Sequence, residues 1–396
     1  MDISYNETTV LQKVYPTINN EDLLEFRIPP NFKNNMSMSN IMLRFMLKVP
    51  EVSGSIIIPE NFLGAKQFSS VEVRINGDAV SRRSCANEYF LGTYFQFLSN
   101  FSSDYVTTSC MPFGIFDTVQ MSTDTFTSDS TLASRVVNNR KGINDDKYFE
   151  ILMPIESSIF SSNQNLATNT PIDISFERLQ SKFSLITNKE TEGIPQTLTL
   201  DDPYLIAPFI NDKELQHLEK QSITRPLKMK FDDFVINRFN ISKESPNIRL
   251  SNILSGPLPK TLFWGIMNLN GYSGSYSFSS SHFKRYGLKK CTLYLDGNAM
   301  SGFPILTSDN AVSIPYIRFL ENTNRYLNCY SSRTVDPKDF RDYHFIHSTS
   351  LDYNATGALS FDLDFDTTPT DDLVLITCSV FERTLEMDNF RNFKLV

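Results

Sequence analysis

Four histidines, His217, His282, His344 and His347, are the whole imidazole supply of this chain. A zinc centre or a histidine-assisted active site needs several imidazoles or carboxylates converging on one point. The only close pair is His344-Phe-Ile-His347. Its i, i+3 spacing suits one helical face, but Asp342-Tyr343 before it and Ser348-Thr-Ser350 after it read as loop or strand, where the two rings diverge. The paired carboxylates Asp201-Asp202, Asp232-Asp233 and Asp371-Asp372 are adjacent, and neighbours on a strand point to opposite faces. Asn270-Gly-Tyr-Ser-Gly274 lacks the spacing of a phosphate loop or a nucleophile elbow. These residues predict no catalytic, cofactor-binding or metal site, and no enzyme.

Five cysteines, Cys85, Cys110, Cys291, Cys329 and Cys378, form no Cys-x-x-Cys pair and read as buried reduced thiols. A net charge of −8, from 37 basic and 45 acidic residues, offers no general attraction for phosphate backbones, so direct nucleic-acid binding is not expected. The opening MDISYNETTVLQKVYP has no basic start followed by an apolar core, and no run approaches a membrane span, so the chain is expected to be neither secreted nor membrane-inserted.

The elements that would position any site are β-type. Phe occurs 32 times and Tyr 16 times, residues that suit pleated, half-buried surfaces, and 40% hydrophobic content over 396 residues supports two cores. One layout occurs twice. VEVRINGDAV (residues 71–80) and CTLYLDGNAM (291–300) each run a strand into an Asn-Gly or Asp-Gly hairpin turn, with the glycines 297 − 77 = 220 positions apart. YFQFLSN (94–100) and YIRFLEN (316–322) follow at 316 − 94 = 222, and each reads as a short amphipathic helix packed on a sheet. IDISFER (172–178) and TCSVFER (377–383) end in Phe-Glu-Arg at 381 − 176 = 205, which predicts a 17-residue insertion in the first copy between helix and last strand. A period this long means two similar domains rather than a solenoid.

LLEFRI (23–28) and IMLRFMLKV (41–49) read as the opening strands of the first domain, with residues 1–20 a polar arm. Residues 101–147 and 330–370 read as long loops, candidate exposed towers. The charged stretch NDKELQHLEKQ (211–221) marks the junction, giving domains 1–210 and 211–396. PLKMKFDDFVINRF (226–239) opens the second domain, and LPKTLFWGIMN (258–268) reads as its buried strand with Trp264 in the core.

The order of these landmarks resembles the double jelly-roll major capsid (hexon) proteins of Polinton elements and adintoviruses. The second half carries most of it: Leu258-Pro-Lys260, Gly265, Gly271-Tyr-Ser-Gly-Ser-Tyr-Ser-Phe278, His282-Phe283, Asp296-Gly297, Pro304 and Leu385-Glu-Met-Asp388-Asn-Phe-Arg391-Asn392. In the first half, residues 68–77 and 89–101 match in order and spacing. The resemblance implies an all-β fold of two tandem eight-stranded jelly rolls with short helices in the loops. It implies a structural protein with no cofactor that trimerises into pseudo-hexagonal capsomers and builds an icosahedral shell. The implied partners are copies of itself, penton proteins and minor capsid proteins, and the implied place is the virion, assembled inside a host cell. A tandem β-sandwich binding module for glycans or proteins, or a minor capsid protein, is the alternative reading.

Overall fold

Alternating apolar side chains pair the chain into four main antiparallel sheets and a small two-stranded one in the computed structural model. It describes residues 9–53, 57–80, 87–100, 148–155, 158–162, 164–187, 192–221, 226–243, 245–307, 312–323, 335–388 and 391–395. Residues 101–147, with Phe101 and Cys110, lie outside these, as do Cys85 and Cys329.

In the first half the strands are β1 (Val10–Val14), β2 (Pro16–Asn19), β3 (Leu23–Ile28), β4 (Asn35–Ser37), β5 (Met42–Lys48), β6 (Ile57–Pro59), β7 (Phe68–Ile75) and β8 (Asp78–Ala79). Helix α1 (Glu88–Asn100) follows, then β9 (Tyr148–Pro154), β10 (Asn165–Leu166), β11 (Ile172–Arg178), β12 (Leu185–Thr187) and β13 (Leu200–Ile210). One sheet has β13 at its centre, with β1 on one side and β5 then β9 on the other; the facing sheet runs β2-β3-β11-β7-β8. Lettered B to I, the strands β1, β3, β5, β7, β8, β9, β11 and β13 give the B-I-D-G and C-H-E-F order of a jelly roll, each crossing to the opposite sheet from the one before it except β8, which pairs with β7.

Helix α2 (Lys213–Gln221) leads into β14 (Leu227–Ile241), β15 (Asn247–Pro257), β16 (Thr261–Asn268), α3 (Leu269–Tyr272), β17 (Leu288–Leu295), β18 (Asn298–Ala299) and β19 (Ile305–Leu306). Then come α4 (Ser313–Asn322), α5 (Pro337–Tyr343), β20 (Ile346–Ser350), β21 (Thr356–Phe365), β22 (Leu373–Met387) and β23 (Phe393–Leu395). The sheets are β14-β22-β16-β20 and β15-β21-β17-β18, the same order again. No helix among the described residues is long and apolar enough to cross a membrane.

The hairpin landmarks are equivalent: β7 turns at Asn76 and Gly77 into β8, and β17 turns at Asp296 and Gly297 into β18, all four residues with positive φ. The helices α1 and α4 also occupy matching places in chain order.

Four expectations are corrected. The two Phe-Glu-Arg runs are not counterparts: the first ends β11, in the H place beside β3 and β7, whereas the second lies in β22, in the I place beside β14 and β16. The true counterpart of β11 is β21. From aromatic landmark to that strand the first copy takes 172 − 94 = 78 positions and the second 356 − 316 = 40, an excess of 38 rather than 17. Residues 10–19 are not an arm, because β1 pairs with β13 and β2 with β3. Residues 330–370 are not one long loop, because α5, β20 and β21 fall within them. Nor is α1 amphipathic: Tyr89 through Ser99 are buried on every side, Thr93, Gln96 and Ser99 included.

The reason is where α1 sits. The central strands β16 and β22 of the second roll's B-I-D-G sheet are buried on both faces, which the run LVLITCSV (373–380) encodes as continuous rather than alternating burial. Leu373 and Leu375, with Leu262, Trp264 and Ile266, face that roll's own core. Val374, Ile376, Cys378, Val380, Phe263 and Met267 face the other way, into a cluster shared with α1 and the first roll's core.

Candidate functional site at the junction of the rolls

The predicted chemistry-bearing residues do not gather at one point. His344 caps α5 and its Nδ1 shares a 2.7 Å hydrogen bond with the Tyr94 hydroxyl of α1. His347 lies in β20 with its ring stacked on Trp264, centroids 3.9 Å apart and planes at 2°. His282 donates from Nε2 to the Asp342 carbonyl at 3.0 Å. The adjacent carboxylates separate as strand geometry requires: Asp232 pairs with Lys260 at 2.5 Å and Asp233 with Arg383 at 3.5 Å. Among the described residues no group of three His, Cys, Asp or Glu could hold a metal ion.

Burial sets the ionisation. Desolvation pushes His282 down to about 3, aided by the charge of Lys284 and opposed by its bond to Asp342. Desolvation and, less, Arg318 push His347 down to about 3. Both rings are neutral near pH 7. Burial likewise raises the Tyr94 hydroxyl and the thiols of Cys291 and Cys378, which are free and inert rather than nucleophilic.

What the geometry does build is a lock between the rolls. Tyr94 stacks on Phe283 with centroids 5.3 Å apart, and Phe95 lies between Phe263 at 6.2 Å and Phe283 at 5.7 Å. Gly265 is required there, since a Cβ would lie 2.6 Å from Phe283.

Beside this aromatic contact lies a buried ion pair that sequence reading passed over. Lys66 donates to Glu60 within the first roll and to Ser281 Oγ of the second at 3.0 Å. Glu60 Oε2 also accepts from Ser279 Oγ at 2.8 Å and Ser280 N at 3.2 Å. Buried charges persist only when paired and hydrogen-bonded, and here the second roll's Ser279-Ser-Ser281 supplies further partners to Glu60 Oε2 and Lys66 Nζ. A lone Glu and Lys among apolar residues 57–68 is the only local signal. The partners lie more than two hundred positions away, beyond what spacing can reveal.

The Gly-rich stretch quoted in the sequence continues the lock. Thr187 N donates to the Tyr276 carbonyl at 3.0 Å, Asn87 Nδ2 to the Tyr272 carbonyl at 2.9 Å, and Tyr276 and Ser181 hydroxyls meet at 2.8 Å. Gly274 has φ +81° and lies where a Cβ would meet the Phe183 ring at 2.7 Å. At the far edge, Asn76 Nδ2 donates to the Arg391 carbonyl at 3.0 Å and Phe393 N to Asp78 at 2.9 Å, so the first hairpin turn holds the C-terminal segment. Glu219 of α2 accepts from Asn35 and from Thr168 and forms an ion pair with Arg391 at 3.5 Å.

No family model and no curated protein sequence matches the chain. Solved structures do. A quasi-atomic model of the PBCV-1 virus capsid aligns with TM-score 0.59 and 10% identity over 99% of this chain and 97% of that one. The Faustovirus major capsid protein aligns with TM-score 0.56 and 9% identity over 97% and 92%. The mavirus major capsid protein gives 0.55 and 10% over 100% and 91%. The fold is the double jelly roll, and these neighbours are structural capsid proteins rather than enzymes.

Proposed function

We propose that this chain is a major capsid protein, of the Polinton and adintovirus type, that trimerises into pseudo-hexagonal capsomers and builds an icosahedral shell in the virion. The observation that carries the reading is that two jelly rolls, locked by a buried junction, span nearly the whole chain and align end to end with capsid proteins. Three copies with two rolls each present six similar units around one axis, so one chain tiles a hexagonal place. We divide the chain into rolls 1–210 and 211–396, the change falling before α2. The lineage rests on the quoted pattern from Leu258 to Asn392, with penton and minor capsid proteins as the further partners it implies.

The outer faces of both C-H-E-F sheets support lateral contact between capsomers. They carry paired charges, Arg27 with Asp173 and Arg74 with Glu72 on the first roll, Arg249 with Asp362 and Lys290 with Asp364 on the second. Polar, exposed contacts of this kind are weak individually and salt-sensitive, as reversible assembly needs. Light scattering and negative-stain microscopy of the purified chain test the proposal: trimers and hexagonal particles are expected, and a monomer at every concentration refutes it.

A further inference from the structure

Two Asn-Gly pairs occur in the chain, Asn76-Gly77 in the first hairpin turn and Asn270-Gly271 in α3. In such a pair the backbone nitrogen reaches the preceding side-chain amide with least hindrance, because glycine has no Cβ to block the approach. The nitrogen of Gly77 bonds to Cγ of Asn76, the Cγ–Nδ2 bond breaks, and the Gly77 amide proton leaves with Nδ2 as ammonia. Water then opens the succinimide at either carbonyl, leaving aspartate or isoaspartate with no oxidation or reduction.

The two settings differ. Gly271 is buried, and a Cβ there would lie 2.6 Å from the Ser279 carbonyl oxygen, so its backbone has no room to shift. Asn76 is exposed, and a Cβ at Gly77 would meet nothing within 4 Å. What restrains Asn76 is its own hydrogen bond, from Nδ2 to the Arg391 carbonyl at 3.0 Å. Beside it, Asp78 accepts from Phe393 N at 2.9 Å. Together these bonds hold segment 391–395, which contains β23 and the buried Phe393. The equivalent turn of the second roll shows what a carboxylate does in this place: Asp296 Oδ1 accepts from Ala358 N at 2.8 Å. At Asn76 the facing group is a carbonyl, an acceptor that a carboxylate cannot serve.

We propose that Asn76 is a self-modification site, a one-way latch on segment 391–395. While its amide holds Arg391 the side chain is shielded, and release of that segment frees it to react. Deamidation removes the donor and sets a carboxylate against the Arg391 carbonyl oxygen, two positions from the Asp78 carboxylate. The contact then loses its bond and gains repulsion, so the segment cannot be held there again.

Full-length wild type, Asp78→Ala and Asn76→Asp test it. Wild type and Asp78→Ala are incubated at mildly alkaline pH, and peptide mass spectrometry follows amide-to-acid conversion at Asn76 and Asn270. Expected is conversion at Asn76 at least fivefold faster in Asp78→Ala, where the neighbouring bond to Phe393 is gone, with Asn270 intact in both. Equal rates at Asn76, or conversion in neither protein, overturn the shielding. Asn76→Asp stands for the aspartate product. Hydrogen exchange at the amides of residues 393–395 should be at least tenfold faster in it than in wild type, with unchanged circular dichroism. Unchanged exchange overturns the latch. If Asp78→Ala misfolds, Phe393→Ala, which loosens the same segment from the other side, gives the rate comparison with the same two outcomes.

Discussion

Tyr94 and His344 stand 250 positions apart and share a hydrogen bond of 2.7 Å, one in α1 of the first roll and the other at the end of α5 in the second. Both are buried, so neither can exchange this partner for water. Tyr94→Phe should therefore destabilise the protein by about 1–3 kcal/mol, the cost of stranding a buried polar atom, with packing otherwise intact. Urea denaturation of the two proteins checks it.

Acid should weaken the fold. His282 and His347 are held neutral with values near 3, while the unfolded chain protonates its histidines at ordinary values near 6.5. Their contribution is full above pH 6.5 and falls as pH drops from there toward 3, because the unfolded state then binds more protons. The expected slope is about 1.4 kcal/mol per pH unit for each ring. Denaturation midpoints at pH 7, 6 and 5 should fall, and His347→Phe should flatten the dependence. An equal slope in that variant would contradict the assignment.

The Glu60 and Lys66 pair predicts strong non-additivity. Glu60→Gln or Lys66→Met alone should cost about 3–5 kcal/mol by leaving one buried charge without its counterion. The double variant Glu60→Gln with Lys66→Met should cost less than the sum of the two by at least about 1 kcal/mol. A double-mutant cycle by denaturant titration gives the coupling.

Two glycines with the same φ of +81° separate conformation from contact. Nothing lies within 4 Å of a Cβ built at Gly297, whereas at Gly274 the Phe183 ring is 2.7 Å away. Gly297→Ala should lose about 1–2 kcal/mol for the left-handed backbone alone. Gly274→Ala should lose roughly 2–5 kcal/mol, since the close contact adds to the same conformational cost. Thermal melts of both variants read the difference directly.

Local signals told the truth where local physics decides. The Asn76-Gly77 and Asp296-Gly297 turns, the two aromatic helices and the buried Trp264 strand were all legible in spacing and residue type. The Phe-Glu-Arg match failed because three shared residues say nothing about which strand of a sandwich they occupy. β21 alternates Leu359, Phe361, Leu363 and Phe365 inward, a readable strand hidden by polar flanks on both sides. β1 and β2 escaped because short edge strands with exposed side chains look like any polar tail. The lock could not be read at all. Each of its contacts joins segments remote in sequence, and only α1's all-round burial hints that a helix has two hosts.

The two middle strands of the second roll's inner sheet have no watery side, and this bears on how such a protein can be inherited. Expressed by itself, the C-terminal half would expose Val374, Ile376, Val380 and Phe263 as a naked greasy plane and should precipitate. Recombination that exchanged one half between diverged relatives would have to carry α1 and its receiving groove together. Two units of one topology are thus bound into a single inseparable body.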